Sequence, residues 1–189
     1  MKRPNTQAVL SCVVKSYSII QTTTAADLAA VVALCWEYRD FLLANTPVDR
    51  EITETFYPVP KYEALMNDLP VIHARPRGII LLARSADGTP LACGMTHPLD
   101  PQSAEIKRIF VAPEARGLGL AKALCRALLV QAQADGYQRV VLDTSRTLTG
   151  AVALYLSLGF KERGPYQPIP DSALPHLRFF EYKLDTSIS

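Results

Sequence analysis

A turn with two glycines, Gly117 and Gly119, separates an expected β-strand from a strongly amphipathic helix. The first backbone N–H groups of a helix have no intrahelical acceptor, and the helix dipole places partial positive charge at the same end. Glycines at this point carry no Cβ, so an anion can approach the backbone closely, and Arg116 adds a positive charge beside it. The segment therefore predicts a strand–turn–helix unit that binds a phosphate group at the helix N-terminus.

The composition is that of an ordinary globular domain. The 189 residues are 49% hydrophobic and 20% charged, which predicts one domain over residues 1–189 with a sizeable core. A formal net charge of +2 is too small to indicate a nucleic-acid partner. The four cysteines are scattered, with no Cys-x-x-Cys pair, so we expect reduced thiols and no metal. The apolar stretch before Cys12 is too short for a signal peptide, and no segment reaches membrane-spanning length, so we predict a cytoplasmic protein without a membrane partner.

Hydrophobic periodicity predicts an α+β fold without repeats or an interdomain linker. The first half contains an edge strand ending at Ile20, a helix over 25–44 capped by Thr24, and an antiparallel meander. The meander strands are predicted at 78–84, 91–97 and 104–111. Helices at 121–132 and 148–158 alternate with strands at 139–143, from Phe160 onward, and at 178–184. Residues 45–77 are less regular, with a short helix over 61–69 that stops before Pro70.

Two common phosphate-binding motifs do not fit the glycine turn. A dinucleotide fingerprint needs a third glycine for helix–strand packing, and Lys122 stands at that position. The turn also follows antiparallel hairpins rather than the first strand of a βαβ unit. A mononucleotide P-loop is excluded because no Gly-Lys-Ser/Thr follows. The alternative interpretation, a helix that begins with glycines and binds no ligand, stays open at this point.

Three stretches together resemble the GNAT superfamily of acyl-CoA-dependent N-acyltransferases. Residues 116–121 fit its Gln/Arg-x-x-Gly-x-Gly/Ala signature, and residues 104–111 look like its central strand in the form found in bacterial members. Residues 151–160 look like its Leu-Tyr-x-x-x-Gly-Phe motif. The resemblance spans residues 78–184, whereas residues 1–77 match only in expected architecture. It implies a central, mixed but mostly antiparallel sheet of about six or seven strands, with helices on both faces.

The resemblance implies acetyl-CoA as co-substrate. It places the pyrophosphate on backbone N–H groups of the glycine turn and the pantetheine arm along the end of the central strand. The implied donor-binding residues are Ile109, Phe110, Val111, Arg116, Gly117, Leu118, Gly119, Leu120 and Ala121. Many members have Asn where this chain has Leu148, which puts one pantetheine contact in doubt. The end of the central strand is apolar throughout, which fits either a bulge that splays the sheet or a strand buried on both faces.

Two residues are the catalytic candidates. The matching family tyrosine identifies Tyr155 as the acid that protonates the leaving thiolate, and a packed aromatic is the alternative. Glu105 is the candidate base, acting through water, because a carboxylate is a poor direct base unless burial raises its pKa. The alternative for Glu105 is an ion pair with Lys107 or Arg108. His97 ends the neighbouring strand and could lie near Glu105.

The acceptor is predicted only as a primary amine of a small molecule or peptide. Its pocket is expected between residues 45–77 and the loop 164–176, where Tyr166 could either line it or anchor the loop. Arg50, Arg75 and Arg77 could recognise an acidic acceptor or could be solvated surface charges. A non-catalytic acyl-CoA-binding module on the same fold is the alternative function, and a nucleotide-binding protein is disfavoured by the glycine spacing. A homodimer is an expectation at the level of the family only.

Overall fold

Residues 17–185, described by a computed structural model, build a seven-stranded mixed sheet with helices on both faces. The strands are β1 (Tyr17–Gln21), β2 (Ile79–Ser85), β3 (Pro90–Pro98), β4 (Ser103–Val111), β5 (Arg139–Ser145), β6 (Lys161–Arg163) and β7 (Leu177–Lys183). Their spatial order is β1-β2-β3-β4-β5-β7-β6, and only the β4–β5 pair is parallel. The predicted fold class is confirmed. The predicted start of the first strand before residue 17, and Cys12, lie outside the described residues.

One face of the sheet carries three helices, α1 (Ala25–Asn45), α2 (Pro47–Phe56) and α3 (Val59–Ile72). Thr24 caps α1 as predicted, because its hydroxyl accepts the Asp27 N–H at 3.1 Å. Strand side chains alternate between faces, so Leu82 and Met95 pack against this helical layer. α1 lies against β3 and β4 and therefore borders any cleft that opens beside β4.

The other face carries α4 (Leu120–Ala134) and α5 (Thr149–Ser157). The predicted stripe of α4 is buried against the sheet from Leu124 to Ala132, whereas its first residue, Ala121, is half-buried. Gly136 and Gly159 adopt positive φ just beyond the two helices and end them, as the sequence indicated. Since α4 follows β4 directly, its N-terminus lies beside the end of the central strand.

The segment 45–77 is more regular than its sequence pattern predicts. Pro47 lies just beyond the end of α1, as predicted, but it also occupies the first turn of α2, where its missing N–H costs nothing. The hydroxyl of Thr46 caps α2 by accepting the Asp49 N–H at 3.1 Å. The predicted stop of α3 before Pro70 is wrong, because Pro70 lies inside the last turn of a helix that continues to Ile72. The 45–77 segment is therefore two helices that cover one end of the sheet.

The sheet opens between β4 and β5. On β4, only residues Ser103 to Glu105 pair with β5. Beyond them β4 continues to Val111 and β5 to Ser145 without pairing with each other. A β-bulge places Arg108 and Ile109 opposite the single residue Gly94, and Arg108 adopts a φ of 53°. Of the two interpretations of the apolar strand end, the splayed sheet is the one observed. The opening leaves the β5-facing edge of β4 available to a ligand.

No helix within residues 17–185 combines the length and apolarity that a membrane crossing requires.

Candidate active site

A cavity of about 670 Å³ occupies the opening between β4 and β5. Its walls come from the end of β4, the glycine turn, the first turn of α4 and one side of α5. Of the nine predicted donor-binding residues, eight line it: Ile109, Phe110, Val111, Arg116, Gly117, Gly119, Leu120 and Ala121. Leu118 does not, because its half-buried side chain packs on the hydrophobic core below. The sequence prediction thus located this cavity but missed Lys122 at its rim.

The glycine turn has the geometry of an anion cradle. Gly117 and Gly119 have φ values of 80° and 77°, a conformation that disfavours residues with a Cβ. A Cβ built on either glycine would meet no atom within 4 Å, so open space lies beside this backbone. The N–H of Arg116 is already bonded to the Pro113 oxygen at 3.3 Å, which leaves the groups from Gly117 onward as the available donors. An anion at this turn would therefore meet free N–H groups from Gly117 onward but not the N–H of Arg116.

A second, smaller cavity of about 140 Å³ adjoins the first on the α1–α2 side of the sheet. Five residues line both cavities: Tyr38, Ile109, Thr144, Leu148 and Tyr155. The helices of segment 45–77 contribute Asp49, Ile52 and Thr53 to the smaller one, as the sequence suggested. The loop 164–176 contributes nothing to its lining. A molecule in each cavity would meet the other at the shared residues.

Tyr155 stands at this junction. Its ring is 6% exposed and packs 5.8 Å, between ring centroids, from both Phe160 and Phe180. Within residues 17–185 its hydroxyl makes no hydrogen bond that fixes it, although the residue lines both cavities. Burial raises the pKa of Tyr155 well above its usual value, so the phenol stays protonated at physiological pH. Tyr155 thus has both features that the sequence offered as alternatives: its ring is packed in the core, and its O–H is available as a donor.

Glu105 lies at the centre of a buried charged cluster. Its carboxylate contacts the Lys107 ammonium, lies 2.9 Å from the His97 Nε2, and accepts the Tyr166 hydroxyl at 2.6 Å. Lys107 also pairs with Asp143 at 2.8 Å. The expected proximity of His97 and the ion-pair alternative for Glu105 are both observed, and Tyr166 anchors its loop to this cluster. The cluster joins β3, β4, β5 and the 164–176 loop beneath the smaller cavity.

The electrostatics of Glu105 differ from those of a general base. Burial of its 2% exposed side chain acts to raise its pKa, but the His97 hydrogen bond and the Lys107 charge outweigh that effect and lower it to about 2. Burial works against the charge of Lys107 as well, but Asp143 and Glu105 raise the pKa of Lys107 above its usual value. Each partner keeps the other ionised. Glu105 is therefore a permanently charged anchor at neutral pH.

The arginines that the sequence offered for an acidic acceptor lie elsewhere. Arg75 pairs with Asp135, and Arg77 stacks on Tyr137 with 4.3 Å between its Cζ and the ring centroid. Arg50 is exposed and donates to a backbone oxygen. None of the three lines either cavity. The arginines that line the smaller cavity are instead Arg39 and Arg108.

Metal ligation has no candidate in the part of the chain that the structure describes. Across residues 17–185, no group of three or more His, Cys, Asp and Glu side chains is arranged to hold a metal ion. Cys35, Cys93 and Cys125 are free and buried.

Comparisons with known proteins agree with this geometry. An uncharacterised N-acetyltransferase of Schizosaccharomyces pombe is 46% identical over 99 residues, which are 51% of this chain and 61% of that protein. N-acetyltransferase 8F1 of Mus musculus is 45% identical over 69 residues, which are 36% of this chain and 31% of that protein. The matches thus span less than two thirds of either relative. Both relatives are eukaryotic, whereas the sequence resemblance was to the form of the central strand found in bacterial members.

The fold has solved counterparts. A Salmonella typhimurium structure with its cofactor acetyl-CoA matches with a TM-score of 0.63 at 18% identity, covering 92% of this chain and 97% of that one. This likeness shows the fold. The model of the acetyltransferase (GNAT) family matches residues 45–160, which is more than half of the chain and includes β4, the glycine turn, α4 and α5. The chain belongs to the GNAT acetyltransferase family.

Proposed function

We propose that this chain is an N-acetyltransferase that moves an acetyl group from acetyl-CoA to the primary amine of a small molecule or peptide. The observation that carries the proposal is the meeting of two cavities at Tyr155. The larger cavity begins at an anion cradle and the smaller is lined by polar and charged side chains. A donor in one cavity and an acceptor in the other would place their reacting ends at the same point.

The donor is held by backbone in this proposal. The N–H groups from Gly117 onward take the pyrophosphate, and the positive charges of Arg116 and Lys122 stand at the rim of the same cavity. The guanidinium of Arg116 lies 5.0 Å over the Phe41 ring, which orients it. The open edge of β4 offers unpaired backbone groups to the amides of the pantetheine arm.

The reaction is direct attack of a neutral amine on the thioester. A C–N bond forms at the acetyl carbon, the C–S bond breaks, and CoA leaves as a thiolate. Tyr155 donates its O–H to the departing sulfur in this proposal. A thiol has a pKa of about 8.5, below that of a buried phenol, so the tyrosine stabilises the thiolate chiefly by hydrogen bonding.

The amine proton needs a different route from the one that the sequence suggested. With a pKa of about 2 and three donors on its oxygens, Glu105 is a weak base even through water. In this proposal Glu105 instead positions Lys107 and Tyr166 beneath the acceptor cavity, and the proton leaves to solvent. A peptide-type α-amine, with a pKa of about 7.7 to 8.0, needs less help to lose it than a lysine-type amine at about 10.4.

The test is release of free thiol from acetyl-CoA in the presence of a panel of primary amines. Acceptor-dependent thiol release, together with an acetamide product of the expected mass, supports the proposal. A chain that CoA stabilises against heat, but that releases no thiol with any amine, would be the non-catalytic acyl-CoA-binding module. If CoA does not raise the melting temperature at all, both acyl-CoA functions fall.

A further inference from the structure

Two guanidinium groups in the smaller cavity lack a counter-ion. Arg39, which is 7% exposed, and Arg108, which is half-buried, both line this cavity. Among residues 17–185, no Asp or Glu oxygen lies within 4.0 Å of either guanidinium. A charge that is removed from water without a partner is strongly unfavourable. Such a pair is expected where a ligand supplies the opposite charge.

The donors of Arg39 face open space. Its Nε donates to the Tyr57 oxygen at 3.1 Å, and its Cζ lies 5.8 Å from the Tyr62 ring and 5.9 Å from the Trp36 ring. The described residues offer its two terminal nitrogens no hydrogen-bond acceptor, and neither nitrogen is sealed from solvent. Stacking and the Nε bond therefore orient a fork of N–H donors toward the cavity.

Arg108 lines the same cavity as Tyr62 and acts on its hydroxyl. Burial raises the pKa of the Tyr62 hydroxyl, and the charge of Arg108 acts in the other direction, so the guanidinium lies close to that oxygen. The bulge in β4 gives Arg108 its left-handed backbone and so turns it out of the regular strand alternation. Two elements, α1 and β4, thus each contribute an arginine to the lining of the cavity.

The other charged side chains that line the cavity already have partners. Lys107 pairs with Glu105 and Asp143. Asp49 is saturated by four donors: Asn45 at 2.7 Å, Thr46 at 2.6 Å, Ser145 at 2.5 Å and Thr147 at 2.7 Å. Arg39 and Arg108 thus remain without an ionic partner, and an anionic group on a ligand would supply one.

We propose that the acceptor is a small amine that carries a carboxylate, held by Arg39 and Arg108 with its amino group toward Tyr155. Guanidinium forks match a carboxylate in a bidentate manner. The cavity volume of about 140 Å³ is roughly ten times the 10–15 Å³ that one water molecule needs, so a small amine can enter it. The inference rests on the proposed acetyltransferase function, because it assigns the acceptor of that same site.

The binding test separates the two proposals. In the presence of saturating CoA, the melting temperature is measured with each of the twenty amino acids, β-alanine and γ-aminobutyrate, and with the carboxamide of each. The carboxamide keeps the shape and loses the charge. We expect at least one carboxylate-bearing amine to raise the melting temperature while its carboxamide does not. No response to any of them, or an equal response to the carboxamide, overturns the inference.

Variants show whether the two arginines are responsible. We expect Arg108→Gln to weaken binding of the responding acid on the order of 10- to 100-fold, as for a lost charge-assisted contact. Arg39→Lys keeps the buried charge without the fork and is expected to give a smaller loss. Arg50→Gln, on the exposed side of α2, is the matched control and should bind normally. Unchanged binding in Arg108→Gln and Arg39→Lys would overturn the inference.

The thiol-release assay on the same compounds keeps the outcomes distinct. Acetylation of uncharged amines without binding of any acid leaves the acetyltransferase proposal intact and overturns the acidic acceptor. Arginine-dependent binding of an acid without thiol release from any amine overturns the acetyltransferase proposal, and with it the role of that acid as acceptor, although the carboxylate site itself is then shown.

Discussion

The hydroxyl of Tyr155 is an uncommitted donor on a well-packed ring. Replacing it in Tyr155→Phe removes only the oxygen, because the contacts with Phe160 and Phe180 belong to the ring. We expect kcat to fall on the order of 100-fold or more, with little change in KM for acetyl-CoA or in melting temperature. Steady-state thiol release checks this, with Tyr182→Phe, outside both cavities, as the control. Full turnover at saturating acetyl-CoA would remove Tyr155 from the mechanism.

The carboxylate of Glu105 links stability to acid. Its folded pKa of about 2 lies below its ordinary value of 4.5, so the unfolded chain binds the proton more tightly than the folded one. The stabilisation is therefore fully present above pH 4.5 and is lost as the pH falls toward 2. The shift corresponds to a contribution on the order of 3 kcal/mol at neutral pH.

The variant Glu105→Gln isolates that contribution. We expect its free energy of unfolding to be lower than that of the wild type at neutral pH, and the difference to shrink between pH 4.5 and pH 2. Urea denaturation at a series of pH values measures it. A difference that stays constant with pH would contradict the low pKa of Glu105. The kcat/KM profile supplies a second check, because loss of its ascending limb above pH 5 in this variant would identify Glu105 as the base after all.

Residue-level prediction from the sequence succeeded where neighbours in the chain carry the information. Glu105 and Lys107 share one face of a strand, so their pairing follows from period-two geometry. Arg39 and Arg108 were missed as a pair because they come from a helix and a strand far apart in the chain. Only the packing of α1 against β4, and the bulge at Arg108, bring their side chains to one cavity.

At the scale of the element, the bulge in β4 depends on Gly94 of β3. A Cβ at position 94 would lie 2.4 Å from the Ile109 Cδ1 and 3.3 Å from the Leu128 Cδ1, so the missing Cβ provides the space for Ile109. Ile109 lines both cavities, so a shift of its terminal methyl to make room for a larger residue 94 would change the wall that the cavities share. The absence of a side chain at Gly94 therefore lets Ile109 keep its position in the wall of the site.

We expect Gly94→Ala to destabilise the protein by about 1–3 kcal/mol through overpacking, and to raise KM for acetyl-CoA more than it lowers kcat. Urea denaturation and initial rates measure the two effects. Gly164→Ala is the matched control, because a Cβ there would meet no atom within 4 Å and its φ is not positive. Equal stability and KM in the two variants would show that Ile109 repacks freely.

Element prediction from the sequence held where a cap, a glycine stop or a turn signal was present. Thr24 marked the start of α1, Gly136 marked the end of α4, and apolar runs separated by Asp-Gly and Asp-Pro turns marked the meander strands. The prediction failed at α2 because the sequence pattern identifies Pro47 only as the residue that follows α1, whereas it also begins the next helix. Whether β4 splayed could not be decided either, because strand-to-strand register depends on partners distant in sequence.

At the scale of the whole molecule, CoA would add contacts between elements on both sides of the gap in the sheet. Its proposed site joins the end of β4, the first turn of α4 and one side of α5 across the gap in the sheet. A ligand that binds only the folded state stabilises it by about 2.7 kcal/mol at 100 times its Kd. For a domain of this size that corresponds to a rise in Tm of roughly 5–10 °C.

We therefore expect saturating CoA to raise Tm by that amount and pantetheine, which lacks the phosphates, to raise it much less. The rise with CoA should shrink in 1 M salt, because the Debye length falls from about 10 Å to about 3 Å and screens the rim charges of Arg116 and Lys122. The variant Lys122→Gln should show a smaller rise at low salt and a weaker salt dependence. Differential scanning calorimetry measures all three. An equal rise with pantetheine and CoA would mean that the glycine turn does not hold the phosphates, and the donor would then have to bind through the β4 edge alone.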